Sequence, residues 1–155
     1  MKNTMKKFIS NLIFATFVAL GLISCSKADK NLEKIAGEWY LQEENVEVYV
    51  EFNVDGTFAL YQNISVAEDG NDPRYRLYYG TFTYDGTTLS GMYSDKSHWA
   101  YTYQASVNGD NLTMVFTDNG KEFVRTYVRK TIPFTVRKNC TEPLKSSIDE
   151  VIPFL

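Results

Sequence analysis

Residues that commonly carry enzyme chemistry are scarce in this 155-residue chain, which contains a single histidine, His98. One histidine excludes a multi-histidine metal site and leaves at most a site completed by carboxylates. His98 stands near Asp95 and could act as a base, but no nucleophile elbow, paired-histidine spacing or phosphate-binding glycine loop accompanies it. We therefore expect a protein that is not an enzyme and that has neither a metal site nor a cofactor.

The chain also lacks a surplus of positive charge. It has 16 lysines and arginines against 19 aspartates and glutamates, a formal net charge of −3. Lys2, Lys6 and Lys7 all lie at the extreme N-terminus, so the remainder is more acidic still. A mildly acidic chain without a basic stripe argues against nucleic acid as a partner. The same balance argues against adsorption to anionic lipids by charge alone.

Residues 1–24 have the three-part organisation of a signal peptide. Lysines come first, an apolar run follows over residues 8–23, and small residues precede a cleavage point. The run is interrupted by polar residues and is short for a membrane-spanning helix. Its end, Leu22-Ile23-Ser24-Cys25, resembles a bacterial lipobox, in which the cysteine becomes the first residue of the mature chain and is acylated.

Acylation of Cys25 would anchor the protein to a membrane, because each buried methylene contributes about 0.8 kcal/mol and two or three acyl chains are attached. Ser26 after the cysteine is similar to lipoproteins of the outer membrane. Residues 25–31 would form a polar tether. Only Cys140 would remain as a thiol, which rules out an intramolecular disulfide. An ordinary secreted protein with a chance cysteine is the alternative.

The chain is rich in aromatic residues and in turn signals, with 11 tyrosines, 10 phenylalanines and 2 tryptophans. Apolar and polar residues alternate in short runs separated by Asp-Gly or Asn-Gly turns. Successive hairpins of this kind predict an all-β fold, an eight-stranded antiparallel up-and-down β-barrel over residues 32–130. The predicted strands are residues 38–43, 46–52, 58–64, 74–79, 88–93, 98–107, 112–116 and 122–130.

Three segments flank or interrupt these strands. Residues 31–36 predict one helical turn, capped by Asn31, that closes one end of the barrel. Residues 65–73 are the longest connection and the best candidate for a mobile loop at a cavity mouth. Residues 131–155 contain Pro133 and Pro143 yet are too apolar for a solvated tail. We expect part of this extension to pack on the outside of the barrel or across one end.

The order of these features resembles the lipocalin family of the calycin group, and especially the small lipocalin-like lipoproteins of Gram-negative bacteria. The resemblance covers residues 31–130 and rests on Gly37-Glu38-Trp39, on the turn before it, and on segments 52–58, 79–82 and 85–89. It implies that Gly37 and Trp39 form the barrel floor and that Arg125 or Arg129 of the last strand stacks on Trp39 as a cation–π partner. It also implies a location in the cell envelope, at the outer membrane.

Six aromatic residues are expected to point into the barrel: Tyr75, Tyr79, Trp99, Tyr101, Tyr103 and Phe116. These rings could line a pocket whose hydroxyls face one end, which favours a protein that binds a small apolar or amphipathic molecule. They could instead fill the barrel completely. A filled barrel favours an accessory lipoprotein that docks on another envelope protein through its outer surface and residues 131–155.

Overall fold

The structure of the chain is a computed structural model that describes residues 29–44, 46–65, 73–142 and 154–155. The signal segment, Cys25 and most of the predicted loop at residues 65–73 lie outside this part of the chain. Neither described helix is long and apolar enough to cross a membrane. The elements in chain order are α1 (Lys30–Ile35), β1 (Gly37–Glu43), β2 (Val46–Phe52), β3 (Thr57–Asn63), β4 (Tyr75–Tyr84), β5 (Thr88–Tyr93), β6 (Tyr103–Asn108), β7 (Asn111–Asp118), β8 (Lys121–Arg129), α2 (Phe134–Lys138) and β9 (Cys140–Thr141).

Strands β1 to β8 close into an antiparallel up-and-down barrel, which confirms the predicted fold. Each strand pairs with the next one in sequence, and β8 returns to β1. The closing pair is short, because its register joins only Trp39 to Arg129 and Tyr40 to Val128 among the described residues. This β1–β8 junction is the seam of the barrel.

Alternate residues of each strand point inward and form one core. In β2, for example, Val48, Val50 and Phe52 are buried in the interior while Glu47 and Glu51 lie on the outer face. A strand has this pattern because successive side chains point to opposite faces of the sheet. Every strand from β1 to β8 contributes to the core, whose largest fully buried side chains are Trp39, Tyr103, Tyr127, Phe52 and Phe58.

Helix α1 closes one end of the barrel, with Ile35 completely buried. Its N-cap is Asp29, whose carboxylate accepts a hydrogen bond from the Asn31 N–H at 2.9 Å. The prediction of Asn31 as the cap was therefore wrong. Aspartate and asparagine cap helices equally well, and Asn31 is used elsewhere, since its amide donates to the Asp85 carbonyl at 2.9 Å.

Strand β6 begins at Tyr103, five residues later than predicted. The connection before it turns inward, and Trp99 is buried against Phe58, with ring centroids 5.0 Å apart. Gly91 makes room for the indole, because a Cβ at this position would collide with it. An alternating pattern over residues 99–107 cannot distinguish a strand from a connection that folds into the interior.

The first part of the C-terminal extension covers the outer face of the barrel. Strand β9 pairs in parallel with the start of β4, through Tyr75 and Cys140. Arg137 of α2 forms ion pairs with Glu38 at 2.8 Å and with Glu51 at 2.9 Å. A second cluster of buried residues forms beneath this cover: Tyr49, Tyr61, Tyr75, Ile132 and Val136. Residues 143–153 lie outside the described part of the chain.

Candidate functional site

Hydrogen bonds and a cation–π contact join the residues of the barrel floor, which are Ile35, Ala36, Gly37, Trp39 and Arg129. The buried Trp39 indole donates from Nε1 to the Ile35 carbonyl at 2.8 Å. The Arg129 guanidinium lies over the indole, with Cζ 4.1 Å from the ring centroid, and donates to the Ala36 carbonyl at 3.2 Å. Gly37 has a φ of +134°, and a Cβ there would collide with Nη1 of Arg129. The Gly-x-Trp pattern thus leaves the space through which the guanidinium reaches the indole.

Arg125 takes no part in this floor, although it was one of the two predicted partners of Trp39. Arg129 is the residue opposite Trp39 in the strand register, and Arg125 lies about 13 Å further along the strand. Its guanidinium contacts the rings of Phe116 and Phe154, at 4.8 Å and 3.9 Å from their centroids. The inward alternation of β8 is the same for both arginines, so only the register decides between them.

The end of the barrel opposite the floor is the mouth, formed by Tyr93, Tyr101, Phe116, Phe123 and Arg125. Phe116 lies between two rings, with its centroid 4.4 Å from that of Tyr101 and 5.3 Å from that of Phe123. Tyr103 continues the aromatic wall inward, 5.5 Å from Phe116. Four of the six predicted interior aromatics therefore lie in one connected group, which contains Trp99, Tyr101, Tyr103 and Phe116.

Four buried atoms in this half of the barrel lack a hydrogen-bond partner among the described residues: Trp99 Nε1, the Tyr103 hydroxyl, the Tyr127 hydroxyl and Arg125 Nη1. Tyr103 and Tyr127 are completely buried. An unpaired buried donor costs about 1–3 kcal/mol, and most such groups in folded proteins are paired. All four atoms can donate. The interior near the mouth is thus suited to a molecule that supplies acceptors.

Burial keeps the two tyrosine hydroxyls protonated. Removal from water raises the pKa of Tyr103 to about 12, although the positive charge of Arg125 acts in the opposite direction. Burial likewise raises the pKa of Tyr127 well above its ordinary value. Arg125 influences both hydroxyls, so the three groups belong to one electrostatic environment. At neutral pH this environment contains two neutral donors and one cation.

Tyr75 and Tyr79 lie outside the barrel, so their prediction as pocket residues was wrong. Tyr75 is buried under the C-terminal extension, where its hydroxyl donates to Glu47 at 3.2 Å. Tyr79 is exposed on the same outer face of β4. Inward positions of this strand are occupied instead by Tyr78 and Phe82. Because α2 and β9 bury the outer face of β4, both faces carry aromatic residues and alternation alone cannot identify the inner one.

Sequence reasoning missed Tyr78, Tyr93 and Tyr127 as interior residues of the candidate site. Tyr127 had a usable signal, since it shares the inward alternation of Arg125 and Arg129 along β8. Tyr93 had none, because it ends β5 and its hydroxyl donates to the distant Leu155 carbonyl at 2.7 Å. Contacts between residues so far apart in sequence leave no local pattern.

A separate pocket of about 380 Å³ lies beside the floor, between α1 and the walls of β4 and β6. Its lining residues are Lys34, Tyr84, Gly86, Ser106 and Val107. The Tyr84 hydroxyl is already used, since it donates to the carbonyls of Gly86 at 2.9 Å and Ala105 at 3.1 Å. The one tyrosine hydroxyl of this pocket is thus satisfied within the protein, unlike the Tyr103 and Tyr127 hydroxyls, which have no partner among the described residues.

Asp95 and His98 make their contacts with other residues in the described part of the chain. The Asp95 carboxylate accepts hydrogen bonds from the Ser97 N–H at 2.9 Å and the Ser97 hydroxyl at 2.6 Å. These bonds lower the pKa of Asp95 and hold it in its own turn. His98 forms an isolated bridge with Met92. Among the described residues, no three histidine, cysteine or acidic side chains are grouped so that they could hold a metal ion.

Fold and interior together define a closed, eight-stranded antiparallel up-and-down barrel, with a hydrogen-bonded floor and an aromatic mouth, and this architecture is consistent with a lipocalin-like fold. A comparison with protein-family models finds none that matches the chain. A comparison with curated proteins also finds no match.

Proposed function

We propose that this chain is a lipid-anchored, lipocalin-like protein of the Gram-negative cell envelope that binds a small apolar or amphipathic molecule in the mouth half of its barrel. The observation that carries the proposal is a set of four donors, on Trp99, Tyr103, Arg125 and Tyr127, that have no hydrogen-bond partner in the described part of the chain and lie inside an aromatic wall. Ligand sites commonly combine an apolar lining with a few convergent polar groups.

The donors favour a ligand with an acceptor-rich head. Two neutral hydroxyls, an indole N–H and a guanidinium nitrogen would each gain a partner from a carbonyl, carboxylate or ether oxygen. Nε of Arg125 lies 3.7 Å from the carboxylate of Glu43. The positive charge of Arg125 is therefore compensated by a negative one. Phe116 and Tyr101 would contact the apolar body of the ligand.

The lipid anchor is proposed from Cys25 and the lipobox-like sequence before it. The tether would join the barrel at α1, which closes the floor end, and the mouth would then face away from the membrane. Labelling cells with an alkyne analogue of palmitate tests this proposal. Cys25→Ser should abolish the label, whereas Cys140→Ser, the matched control at the other cysteine, should retain it. Label retained by Cys25→Ser would contradict the anchor.

Ligand binding is tested with the dye ANS on the full chain in lipid nanodiscs, with empty nanodiscs as the blank. We expect ANS fluorescence to rise to saturation as the dye binds. An aliphatic carboxylate should displace the dye and lower the fluorescence. Replacing Tyr103 and Tyr127 with phenylalanine should weaken the displacement, because two of the four donors without a partner among the described residues are removed. Tyr40→Phe, on the outer face, is the control and should bind as the unmodified chain does. Absence of any saturable signal would overturn the proposal.

A second candidate function is that of an accessory lipoprotein that docks on another envelope protein. Two apolar side chains on the outer face of β8 favour it, since Val124 is 58% exposed and Val128 is 42% exposed. Crosslinking in cells, followed by purification, should then recover a partner from the unmodified chain and lose it with Val124→Asp. Deletion of residues 138–155 would show whether the extension also contributes to the contact.

A further inference from the structure

Leu155 lies inside the mouth of the barrel. Its side chain is 1% exposed and belongs to the same core cluster as Trp99 and Tyr103. Its carbonyl oxygen accepts two hydrogen bonds, from the Tyr93 hydroxyl at 2.7 Å and from the Ala100 N–H at 3.2 Å. The mouth thus holds an aliphatic side chain together with a carbonyl acceptor.

Phe154 completes this arrangement beside Arg125. The guanidinium Cζ lies 3.9 Å from the centroid of the Phe154 ring, while Nη1 of the same guanidinium has no hydrogen-bond partner among the described residues. A ring face attracts a cation but does not accept a directional hydrogen bond as strongly as a carboxylate does. Phe154 therefore covers Arg125 without satisfying it.

We propose that Phe154 and Leu155 occupy the ligand site of the barrel as a built-in occupant, and that an aliphatic molecule with a carboxylate head displaces them. This inference rests on the binding function proposed above and deepens it by naming the ligand class. The site is bounded by Tyr93, Ala100, Phe116 and Arg125, and binding of a ligand is competitive with insertion of the Phe154–Leu155 pair.

The contacts of the pair indicate the chemistry of the ligand. A carboxylate oxygen can replace the Leu155 carbonyl between the Tyr93 hydroxyl and the Ala100 N–H. The positive charge of the Arg125 guanidinium, which lies over the Phe154 ring, favours a carboxylate over a neutral head group. An alkyl chain replaces the Leu155 side chain in the core. The head group and the alkyl chain of the ligand thus reproduce the contacts that the Leu155 oxygen and side chain make in the mouth.

Competition within the chain makes the apparent affinity depend on how often the pair is inserted. If the site is free for about a tenth of the time, the observed dissociation constant is about ten times the intrinsic one. Removing the pair should therefore tighten binding of an aliphatic carboxylate by about that factor. The affinity of a ligand that binds elsewhere on the protein should not change when the pair is removed.

The test measures binding of decanoate and of 1-decanol to the full chain in lipid nanodiscs, with empty nanodiscs as the blank. The variants are Leu155→Ala, Phe154→Ala and a deletion of both residues. Phe134→Ala is the matched control, because Phe134 is 77% exposed on α2. We expect tighter decanoate binding, about tenfold for the deletion, with the control unchanged. Decanol, which lacks the carboxylate, should bind more weakly than decanoate in every variant.

A second measurement follows the pair directly in the unmodified chain. The methyl signals of Leu155, assigned by comparison with Leu155→Ala in methyl-labelled spectra, should move to solvent-exposed positions as decanoate saturates the protein. This readout does not require the variants to fold as well as the unmodified chain does.

The outcomes separate the two proposals. Tighter binding by the variants together with movement of the Leu155 methyls supports the built-in occupant. Saturable decanoate binding with Leu155 methyls that stay in place, or with no gain in the folded variants, overturns it and leaves the binding function standing. Decanol bound as tightly as decanoate overturns the carboxylate assignment. No binding by the unmodified chain or by any folded variant overturns both proposals.

Discussion

The two ends of the barrel differ in whether their buried polar side chains have partners among the described residues. At the floor, the Trp39 indole has both a hydrogen-bond acceptor and a cation–π partner. Near the mouth, Tyr103 and Tyr127 are as deeply buried but have hydroxyls without partners among the described residues. A group satisfied within the protein contributes to stability, whereas an unsatisfied one is available to a ligand. The floor is therefore expected to determine the stability of the barrel, and the mouth its binding.

The largest effect that would test this contrast is Trp39→Ala at the floor. The variant removes a fully buried indole and the ring on which Arg129 stacks, so we expect a loss of about 3–5 kcal/mol in the free energy of unfolding. Urea denaturation followed by circular dichroism measures it. A loss below about 1 kcal/mol would contradict a floor that determines stability.

Gly37→Ala should have the next largest effect, about 1–3 kcal/mol of destabilisation. The added methyl group is strained by the positive φ and collides with Arg129. Gly109→Ala is the control, because Gly109 also has a positive φ of +58° but has no atom near the added Cβ. In an Arg129→Ala background the cost of Gly37→Ala should fall, because only the strain of the φ of +134° then remains. An unchanged cost would show that the guanidinium is not the obstacle.

Removing a single tyrosine hydroxyl at either end of the barrel should change the free energy of unfolding by less than the substitutions at Trp39 and Gly37. Tyr84→Phe near the floor removes a donor shared by two carbonyls and should cost about 1 kcal/mol. Tyr127→Phe removes a hydroxyl with no partner among the described residues and should leave stability unchanged or slightly raise it, while it weakens ligand binding. Equal losses in the free energy of unfolding for Tyr84→Phe and Tyr127→Phe would contradict the proposed difference between floor and mouth.

The titration of Tyr103 is expected to have the smallest effect on the free energy of unfolding at neutral pH. Its pKa rises from 10.0 in the unfolded chain to about 12 in the barrel, so the folded state holds the proton longer. The associated stability is fully present below pH 10 and is lost as the pH rises from 10 toward 12. Denaturation at a series of pH values should show a shallower loss above pH 10 for Tyr103→Phe. The same slope for both proteins would contradict the raised pKa.

The strands and turns could be predicted because they depend on local patterns. Asp55-Gly56 and Asp85-Gly86 mark hairpins wherever they occur, and Gly56 and Gly86 have the positive φ values that such turns require. The floor tryptophan was predictable from the resemblance to a known family. The choice of Arg129 over Arg125 was not, because it depends on a register between the first and last strands.

The parts of the site that escaped prediction are those set by long-range packing. Tyr75 and Tyr79 alternate with Tyr78 and Phe82 along β4, and both faces of this strand carry aromatic residues because the C-terminal extension packs against the outer one. Leu155 gives no local signal at all, since its partner Tyr93 lies 62 residues away. Periodicity assigns residues to faces of an element, but it does not tell which face another segment of the chain will cover.

The seam between β1 and β8 has a consequence for how the barrel is assembled. Trp39 and Arg129 are adjacent in space but almost the whole domain apart in sequence, so their pairing closes the largest loop of the sheet. Loop closure of this length carries a high entropic cost, and contacts of this kind slow folding. Barrel closure is thus expected to be a late step. Until β8 pairs with both neighbours, β1 and β7 are unpaired edges on which another chain could add a strand. Pairing of Arg129 with Trp39 closes these edges.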